Sequence, residues 1–178
     1  MDNFDETFYM DKFTAAIEKA RKSNFQLWIL NKFIGKFIPF NGPHKFKIIG
    51  ITDDGFEIQM PYMRKNLNHL KGLHACGLAT LSELTAGLTL IRKLGFQEYR
   101  LIMQEMNMEY FYQAKMPVVV KYELSDEFLM NNVRKPLETE DSVFVELKTE
   151  VYDLEKNHIC TATTKWQMKK WNSVKTKL

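Results

Sequence analysis

The chain has 178 residues, 45% of them hydrophobic and 26% charged, which excludes a disordered chain and suits one domain with a single sizeable core. Its net charge of +3 is too small to indicate a nucleic-acid-binding surface, so we predict no nucleic acid among its partners. Its two cysteines, Cys76 and Cys160, exclude a disulfide framework, and no cluster of Cys and His has metal-ligand spacing, so we predict neither a metal nor a cofactor.

The N-terminal segment, "MDNFDETFYMDKF", is acidic and lacks the apolar core of a signal peptide. No run in the chain reaches the roughly 20 apolar residues that span a bilayer, so we predict no stable membrane insertion. Cysteines without a disulfide pattern suit a reducing compartment. These features together predict a cytoplasmic protein.

Residues 11–38 are predicted to form one or two helices. Phe13, Ile17 and Ala20 fall on one face, and charged side chains lie elsewhere. The segment "FQLWILNKFIGKFIPF" then adds the apolar side chains Trp28, Ile29, Phe33, Phe37 and Ile38. We expect this segment to dock onto the sheet, and its lysines leave open a position on a membrane surface.

A β-hairpin and a long helix are predicted next. "HKFKIIGIT" and "FEIQMPYM" have strand character, and "DDG" between them is a strong turn signal. A loop over residues 64–73 leads into a helix that ends near Gly95. Between Ala75 and Ile91 this helix carries one charged side chain, Glu83. A helix that is apolar on nearly every face must be buried.

Four strands are predicted after the helix: "YRLIMQEMNMEYFYQA", "VVVKYEL", "SVFVELKTEVYDLEKN" and "HICTATTKWQMKKW". "SDEFLMNNVRKPLETED" is predicted to be a helical turn and loop. The short connections favour an antiparallel sheet. We therefore predict an α+β fold, in which a curved antiparallel sheet wraps around the central helix. We predict that residues 1–178 form one domain, with a helical extension over 1–40 and the core over 41–172.

Glu83 is the leading candidate for chemistry. The nearest cationic residues in the sequence, Lys71 and Arg92, are more than a helical turn away. Desolvation of an unpaired carboxylate raises its pKa, which suits a general base. The alternative is a structural carboxylate that points into a crevice and caps a backbone amide.

The start of the same helix, "KGLHACG", is a candidate oxyanion site. The first amides of a helix have no internal partners and lie at the positive end of its dipole. The small residues Ala75, Cys76 and Gly77 allow a ligand oxygen to approach these amides. Ala75 and Glu83 are eight residues apart, about 12 Å along a helix, so one carbonyl carbon cannot reach both. If both act on one substrate, they come from two antiparallel copies of the helix, which predicts a homodimer.

The stretch "NHLKGLHACGLATLSELTAG" resembles the core motif of hotdog-fold thioesterases of the phenylacetyl-CoA thioesterase-like kind. That pattern has an Asn, a variable loop, His-Gly-Gly, and an acidic residue nine positions after the His. Here Asn68 precedes His74 by six positions, and Glu83 follows His74 by nine. The order of elements over residues 44–169 also matches. This chain departs from the pattern in having Ala75 and Cys76 for the two glycines, as some hotdog groups with an added N-terminal helix do.

The resemblance implies a hotdog fold with five or six strands and an acyl-CoA or similar thioester as substrate. By position, Glu83 takes the role of general base or nucleophile. Ala75 takes the place of the first Gly, whose amide polarises the thioester carbonyl. His74 orients the loop by hydrogen bonding rather than acting as a base. Asn68 positions water or a carbonyl, or holds the loop.

Further residues are candidates for substrate binding. Cys76 and Gly77 flank the helix start, and Cys76 adds bulk there. Met106 and Met108 fall on one face of a strand, where they line an acyl pocket or belong to the core. Lys65 either meets CoA phosphates or is an ordinary solvated surface lysine.

Alternative functions remain open from the sequence. One is a non-catalytic module that binds acyl-CoA or fatty acid. A hotdog dehydratase is another, but its His-Phe-Pro context does not occur in this chain. The sequence also leaves open whether two dimers pair into a tetramer, and whether the thiol of the substrate is CoA or a carrier protein.

Overall fold

The computed structural model describes residues 6–95 and 97–174. The predicted helical extension consists of two helices, α1 (Glu6–Lys22) and α2 (Asn24–Phe37). Ser23 separates them, and its Oγ accepts a hydrogen bond from the amide of Gln26 at 3.4 Å, which caps the start of α2. Residues 1–5 of the predicted extension lie outside the described residues.

The predicted hairpin and central helix are confirmed. Strands β1 (Lys47–Ile51) and β2 (Gly55–Met60) pair antiparallel, and α3 (Ala75–Leu94) follows. Gly95 ends α3 with a positive φ of 72°, a conformation that favours glycine.

The four strands predicted after α3 are also present. They are β3 (Tyr99–Tyr110), β4 (Val118–Glu123), β5 (Ser142–Asp153) and β6 (His158–Lys170). The segment between β4 and β5 contains the short helices α4 (Asp126–Leu129) and α5 (Pro136–Thr139), as a helical turn and loop would. All strand pairs are antiparallel, in the order β1-β2-β4-β5-β6-β3. The sheet therefore has β1 at one edge and β3 at the other.

Helix α3 is buried against the sheet, as its composition predicts. It contacts five strands, β2, β3, β4, β5 and β6. Its hydroxyl groups tolerate burial because each donates to the carbonyl four residues earlier in the helix. Ser82, Thr85 and Thr89 do so at 3.1, 2.7 and 2.8 Å. Apolar and hydroxyl side chains can therefore surround the helix without an unpaired polar group at these three positions.

Helix α2 docks as expected for this segment, since it contacts β1 of the sheet. Leu30 and Ile34 are buried, and they pack in the cluster that contains Leu84 of α3. Trp28 and Phe33, which belong to the same apolar segment, are 56% and 50% exposed. Both faces of α2 are apolar, so periodicity could not distinguish the buried face from the exposed one.

Strand β3 has one free edge. It pairs with β6 along its whole length, and the register shifts between Met103 and Glu105, where Gln104 forms a β-bulge. After the bulge, Met106 and Met108 are half-buried while Asn107 between them is exposed. The predicted alternation along this strand is therefore confirmed. Among the described residues, no strand pairs with the other edge of β3.

Candidate active site

Glu83 lies near the middle of α3 and is half-buried. Its Oε1 is 3.6 Å from the point that a Cβ on Gly87 would occupy, and Cη2 of Trp166 is 3.2 Å from the same point. The carboxylate thus lies beside the glycine and close to the indole ring of β6. Within the described ranges it has no hydrogen-bond donor and no cationic partner. Burial raises the pKa of Glu83 above its usual value of 4.5, as the sequence predicts.

The cationic residues nearest to Glu83 in the sequence do not compensate this charge. Arg92 donates from Nη1 to the carbonyl oxygens of Thr52 and Gly55, at 2.6 and 3.0 Å. It is thereby held at the turn between β1 and β2. Lys71 is an exposed side chain in the loop before α3. Neither residue therefore balances the negative charge of the Glu83 carboxylate.

The first turn of α3 has one amide without an acceptor in the described part of the chain. His74 precedes the helix, and its Nδ1 accepts a hydrogen bond from the Cys76 amide at 3.1 Å. The His74 carbonyl accepts from the Gly77 amide at 2.9 Å and from the Leu78 amide at 3.1 Å. The amide of Ala75 has no acceptor among the described residues, and Ala75 is exposed. It is therefore the amide of this turn that remains available to a ligand oxygen.

Tyr110, at the end of β3, holds the strand against the helix start. Its hydroxyl donates to the Ala75 carbonyl at 3.1 Å. Burial raises the pKa of Tyr110, with smaller contributions from Cys160 and Cys76, so the phenol keeps its proton. Tyr110, Ala75 and Asn68 line a cavity of about 310 Å³. The sequence carries no local signal that predicts this bond, because Tyr110 and Ala75 are 35 residues apart.

Asn68 holds the loop before α3. Its Oδ1 accepts hydrogen bonds from the amides of Leu70 at 2.9 Å and Gly72 at 3.0 Å. The oxygen is therefore engaged with backbone, although the side chain lines the cavity beside Ala75.

We expect Asn68→Ala to lower the free energy of unfolding by about 1–2 kcal/mol, because two backbone amides lose their acceptor. Asn68→Asp keeps an acceptor in the same place and should retain most of the stability. Urea unfolding of the three proteins measures the difference. Equal stability of the Ala variant and the wild type would contradict a loop-holding role.

The remaining predicted residues of this region lie around a second cavity. Lys65, His74, Cys76 and Gly77 line this space of about 280 Å³. Cys76 is exposed, and Lys65 is exposed on a short 3₁₀ turn. Gly77 is buried, and a Cβ there would lie 2.5 Å from Cε of Met60, so its lack of a side chain lets α3 pack closely on β2.

Several predicted site residues are not brought together within one subunit. Met106 and Met108 lie opposite Thr164 and Ala162 of β6, and they line neither of these two cavities. Glu83 also lies outside both cavities. Because α3 is one uninterrupted helix, Ala75 and Glu83 are separated by about 12 Å along its axis.

Asn66 is a buried residue that sequence reasoning missed. Its Nδ2 donates to the carbonyls of His44 and Pro61, at 3.0 and 2.9 Å. Its own carbonyl accepts from the His74 amide at 2.8 Å, so Asn66 helps to place the helix cap. An Asn in a polar loop carries no signal that would reveal this burial.

Within the described ranges, no group of three His, Cys, Asp or Glu side chains could hold a metal ion. Over the same residues, no helix combines the length and the apolar character needed to cross a membrane.

Comparison with known proteins gives one family and a set of similar structures. Residues 27–168 match the family model described as domain of unknown function DUF4442. No curated protein matches the chain.

Three solved structures illustrate the likeness. A Pseudomonas aeruginosa protein described as a probable thioesterase is 19% identical, with a TM-score of 0.72, covering 79% of this chain and 94% of that one. A Shewanella oneidensis protein described as a candidate thioesterase is 16% identical, with a TM-score of 0.65, covering 82% and 98%. A mutant of a Staphylococcus aureus thioesterase is 15% identical, with a TM-score of 0.58, covering 74% and 98%. At these identities the likeness concerns the fold, and it confirms the predicted α+β hotdog fold.

Proposed function

Because the chain belongs to the DUF4442 family and shares its fold with structures described as thioesterases, we propose that it hydrolyses an acyl thioester such as an acyl-CoA. The observation that carries this proposal is Glu83, a half-buried carboxylate on the central helix with no described partner. A carboxylate with a purely structural role would be expected to have a hydrogen-bond donor or a cation beside it. An unpaired carboxylate with a raised pKa suits proton transfer.

We propose that the active unit is a homodimer with two composite sites. Glu83 and the free Ala75 amide are too far apart on one helix to act on the same carbonyl group. Two α3 helices that lie side by side and antiparallel would bring Glu83 of one subunit close to Ala75 of the partner subunit. The open edge of β3 supports this arrangement, because a long unpaired edge strand favours pairing with another chain.

In the proposed reaction, a water oxygen attacks the thioester carbon while Glu83 accepts a proton from that water. The Ala75 amide of the partner subunit donates a hydrogen bond to the oxyanion that forms. The C–S bond then breaks, and the leaving thiolate takes the proton back from Glu83. A second route uses Glu83 and the same Ala75 amide. The Glu83 carboxylate attacks the thioester carbon, the thiolate leaves, and water hydrolyses the anhydride that has formed.

The other predicted residues take supporting roles in this proposal. His74 engages the Cys76 amide, which leaves the Ala75 amide for the substrate. Met106 and Met108 present adaptable apolar surface on the inner face of β3, where the acyl chain would lie. Lys65 is exposed near the helix start, where it would meet the phosphates of CoA.

We further propose that residues 1–178 act as one domain in the cytoplasm, where the free thiols of Cys76 and Cys160 stay reduced.

A panel of acyl-CoA thioesters with colorimetric detection of the released thiol tests the activity. We expect thiol release from at least one acyl class. If no thioester is cleaved although acyl-CoA binds in equilibrium dialysis, the protein is a binding module, and the proposal of hydrolysis is wrong.

The dimer can be tested with one substitution on β3. Met106 is half-buried and faces the side of the sheet on which α3 lies, so the proposed dimer would cover it. We expect Met106→Glu to raise the dissociation constant at least about a hundredfold, because burying an unpaired charge costs roughly 3 kcal/mol or more.

Ile102→Glu is the matched control, because Ile102 lies on the same strand and is 44% exposed. Light scattering at micromolar concentration should report a dimer for the wild type and the control, and a monomer for Met106→Glu. A monodisperse wild-type monomer would contradict the dimer.

A further inference from the structure

Helix α2 carries a continuous row of exposed apolar side chains. We call this row the outer face of α2, and it comprises Phe25, Trp28, Ile29, Phe33 and Phe37. These side chains are 65%, 56%, 41%, 50% and 67% exposed. Phe25, Ile29, Phe33 and Phe37 recur every four residues, and Trp28 follows Phe25 by three, so the five share one half of the helix surface. Large apolar groups scattered singly are normal on a surface, but a contiguous row indicates an interaction site.

The outer face is held in place by contacts between its own rings and by the buried residues of the same helix. The rings of Phe25 and Trp28 stack with centroids 6.0 Å apart, and those of Phe33 and Phe37 at 5.6 Å. Leu30 and Ile34, which adjoin the outer face around the helix, are buried in the core. Because these two residues already anchor α2 to the core, the outer face is not needed for docking the helix.

Unpaired lysines border this apolar face. Lys32 and Lys36 lie among its residues, and Lys45 and Lys47 lie across a groove of about 710 Å³ that Trp28 also lines. None of these four lysines forms an ion pair with a carboxylate among the described residues. Lys32 is instead placed over the Trp28 ring, with Nζ 5.6 Å from its centroid.

The sequence around the face contains no opposing charge. From Lys22 to Thr52 the chain has five lysines and no Asp or Glu, although the whole chain has a net charge of only +3. This stretch of the chain is therefore uniformly positive beside the exposed aromatic side chains, and its complement is a negatively charged partner.

The face also lies away from the proposed dimer contact. Helix α2 packs beside β1, at one edge of the sheet, whereas β3 forms the other edge. Pairing of two subunits through β3 would therefore leave the outer face of α2 uncovered.

We propose that the outer face of α2 docks the protein on the surface of a bilayer that contains anionic phospholipids. Trp and Phe side chains on one face with Lys beside them are the composition of helices that lie in the membrane interface. The aromatic rings would enter the boundary between headgroups and acyl chains. The lysine stems would extend along this apolar layer and place their ammonium groups at the lipid phosphates. Docking of this kind requires no helix that spans the bilayer, and it is independent of the proposed hydrolysis.

Flotation with vesicles tests the proposal on the full chain. We expect binding to vesicles of phosphatidylcholine mixed with phosphatidylglycerol, and at least about tenfold weaker binding to phosphatidylcholine alone. Two variants alter the face: Phe33→Ser with Phe37→Ser, and Lys32→Glu with Lys36→Glu. Each should lower the binding to the anionic vesicles at least about tenfold.

Matched controls change exposed residues elsewhere on the protein. They are Phe144→Ser with Leu154→Ser, and Lys121→Glu with Lys148→Glu. These controls should bind like the wild type, and circular dichroism should show that all four variants are folded. On binding, Trp28 should also give a blue-shifted fluorescence that is absent in Trp28→Phe.

Three outcomes would overturn the proposal. The first is no binding of the wild type to either vesicle, and the second is equal binding to neutral and anionic vesicles. The third is binding that the α2 variants leave unchanged. A further result would identify a different role for the face. If the wild type does not bind vesicles and the α2 variants have a lower molecular mass in light scattering, the face is a contact between copies of this chain.

Discussion

Replacing Glu83 by Gln is expected to lower thioester turnover at least about a hundredfold while the protein stays folded and dimeric. Gln matches Glu in shape and removes only the charge and the ability to accept a proton. Since no described residue bonds to the carboxylate, the substitution breaks no structural contact. Thiol release by wild type and variant, measured on the best substrate of the acyl-CoA panel, gives the ratio.

The thermal stability of Glu83→Gln is expected to stay equal or to rise, in contrast to its activity. The pKa of Glu83 is higher in the folded protein than in the unfolded chain, so its ionisation disfavours the folded state. The Gln variant lacks this penalty and should melt at an equal or higher temperature near neutral pH. The difference should vanish below about pH 4, where the carboxyl group is protonated in both states.

The activity of the wild type should follow the same ionisation. Turnover should fall as pH falls through the raised pKa of Glu83, because the protonated carboxyl group can neither accept a proton nor attack. The acidic limb of kcat should therefore lie above pH 4.5, the usual value of this group. Turnover of Glu83→Gln within a few-fold of wild type would remove Glu83 from the mechanism.

Replacing Ala75 by Pro is expected to lower turnover by about a hundredfold to a thousandfold, the usual effect of removing one oxyanion-hole donor. Proline removes the amide hydrogen, which has no described acceptor in the protein. It is well tolerated at the first position of a helix, and His74 before it has a ψ of 135°, which suits a residue that precedes proline. The variant should therefore fold like the wild type, as thermal melting can verify.

Mixed dimers test whether the site is composite. A dimer of one Glu83→Gln subunit and one Ala75→Pro subunit keeps Glu83 in the second subunit and the Ala75 amide in the first. If each site takes one group from each subunit, one site is intact and the mixed dimer should recover about half of wild-type turnover. Co-expression with two different tags isolates this species, and each homodimeric variant serves as the control.

Recovery in the mixed dimer would exclude a site built from one subunit, because in that case both sites would be damaged. No recovery, with each single variant inactive, would contradict the composite site but not the use of Glu83. The experiment therefore separates the arrangement of the subunits from the chemistry of the carboxylate.

The elements could be predicted from the sequence because their signals are local. The apolar run that ends at Gly95 predicts α3, and "DDG" predicts the turn between β1 and β2. The raised pKa of Glu83 could also be predicted from the sequence. A single carboxylate in a helix that is apolar all round must be partly desolvated wherever the helix packs. These inferences depend on composition and spacing within a few turns of chain.

The buried face of α2 was decided by tertiary structure. Leu30 and Ile34 are buried, whereas Phe33 and Phe37, on a neighbouring strip of the helix surface, are exposed, and both sets have helical spacing. Hydrophobicity alone cannot choose between two apolar faces, because the choice depends on which one fits the surface formed by β1 and α3. The exposure of the apolar row on α2 can therefore be seen only in the folded protein.

The polar contacts of the site were decided in the same way. The sequence by itself determined a buried helix with one carboxylate and a helix start of small residues. Only the folded chain shows that His74 engages the Cys76 amide and leaves the Ala75 amide free, and that Asn66 is buried beneath the cap. The physical reason is that a hydrogen bond depends on the distance and angle between two groups, and packing far along the chain sets both.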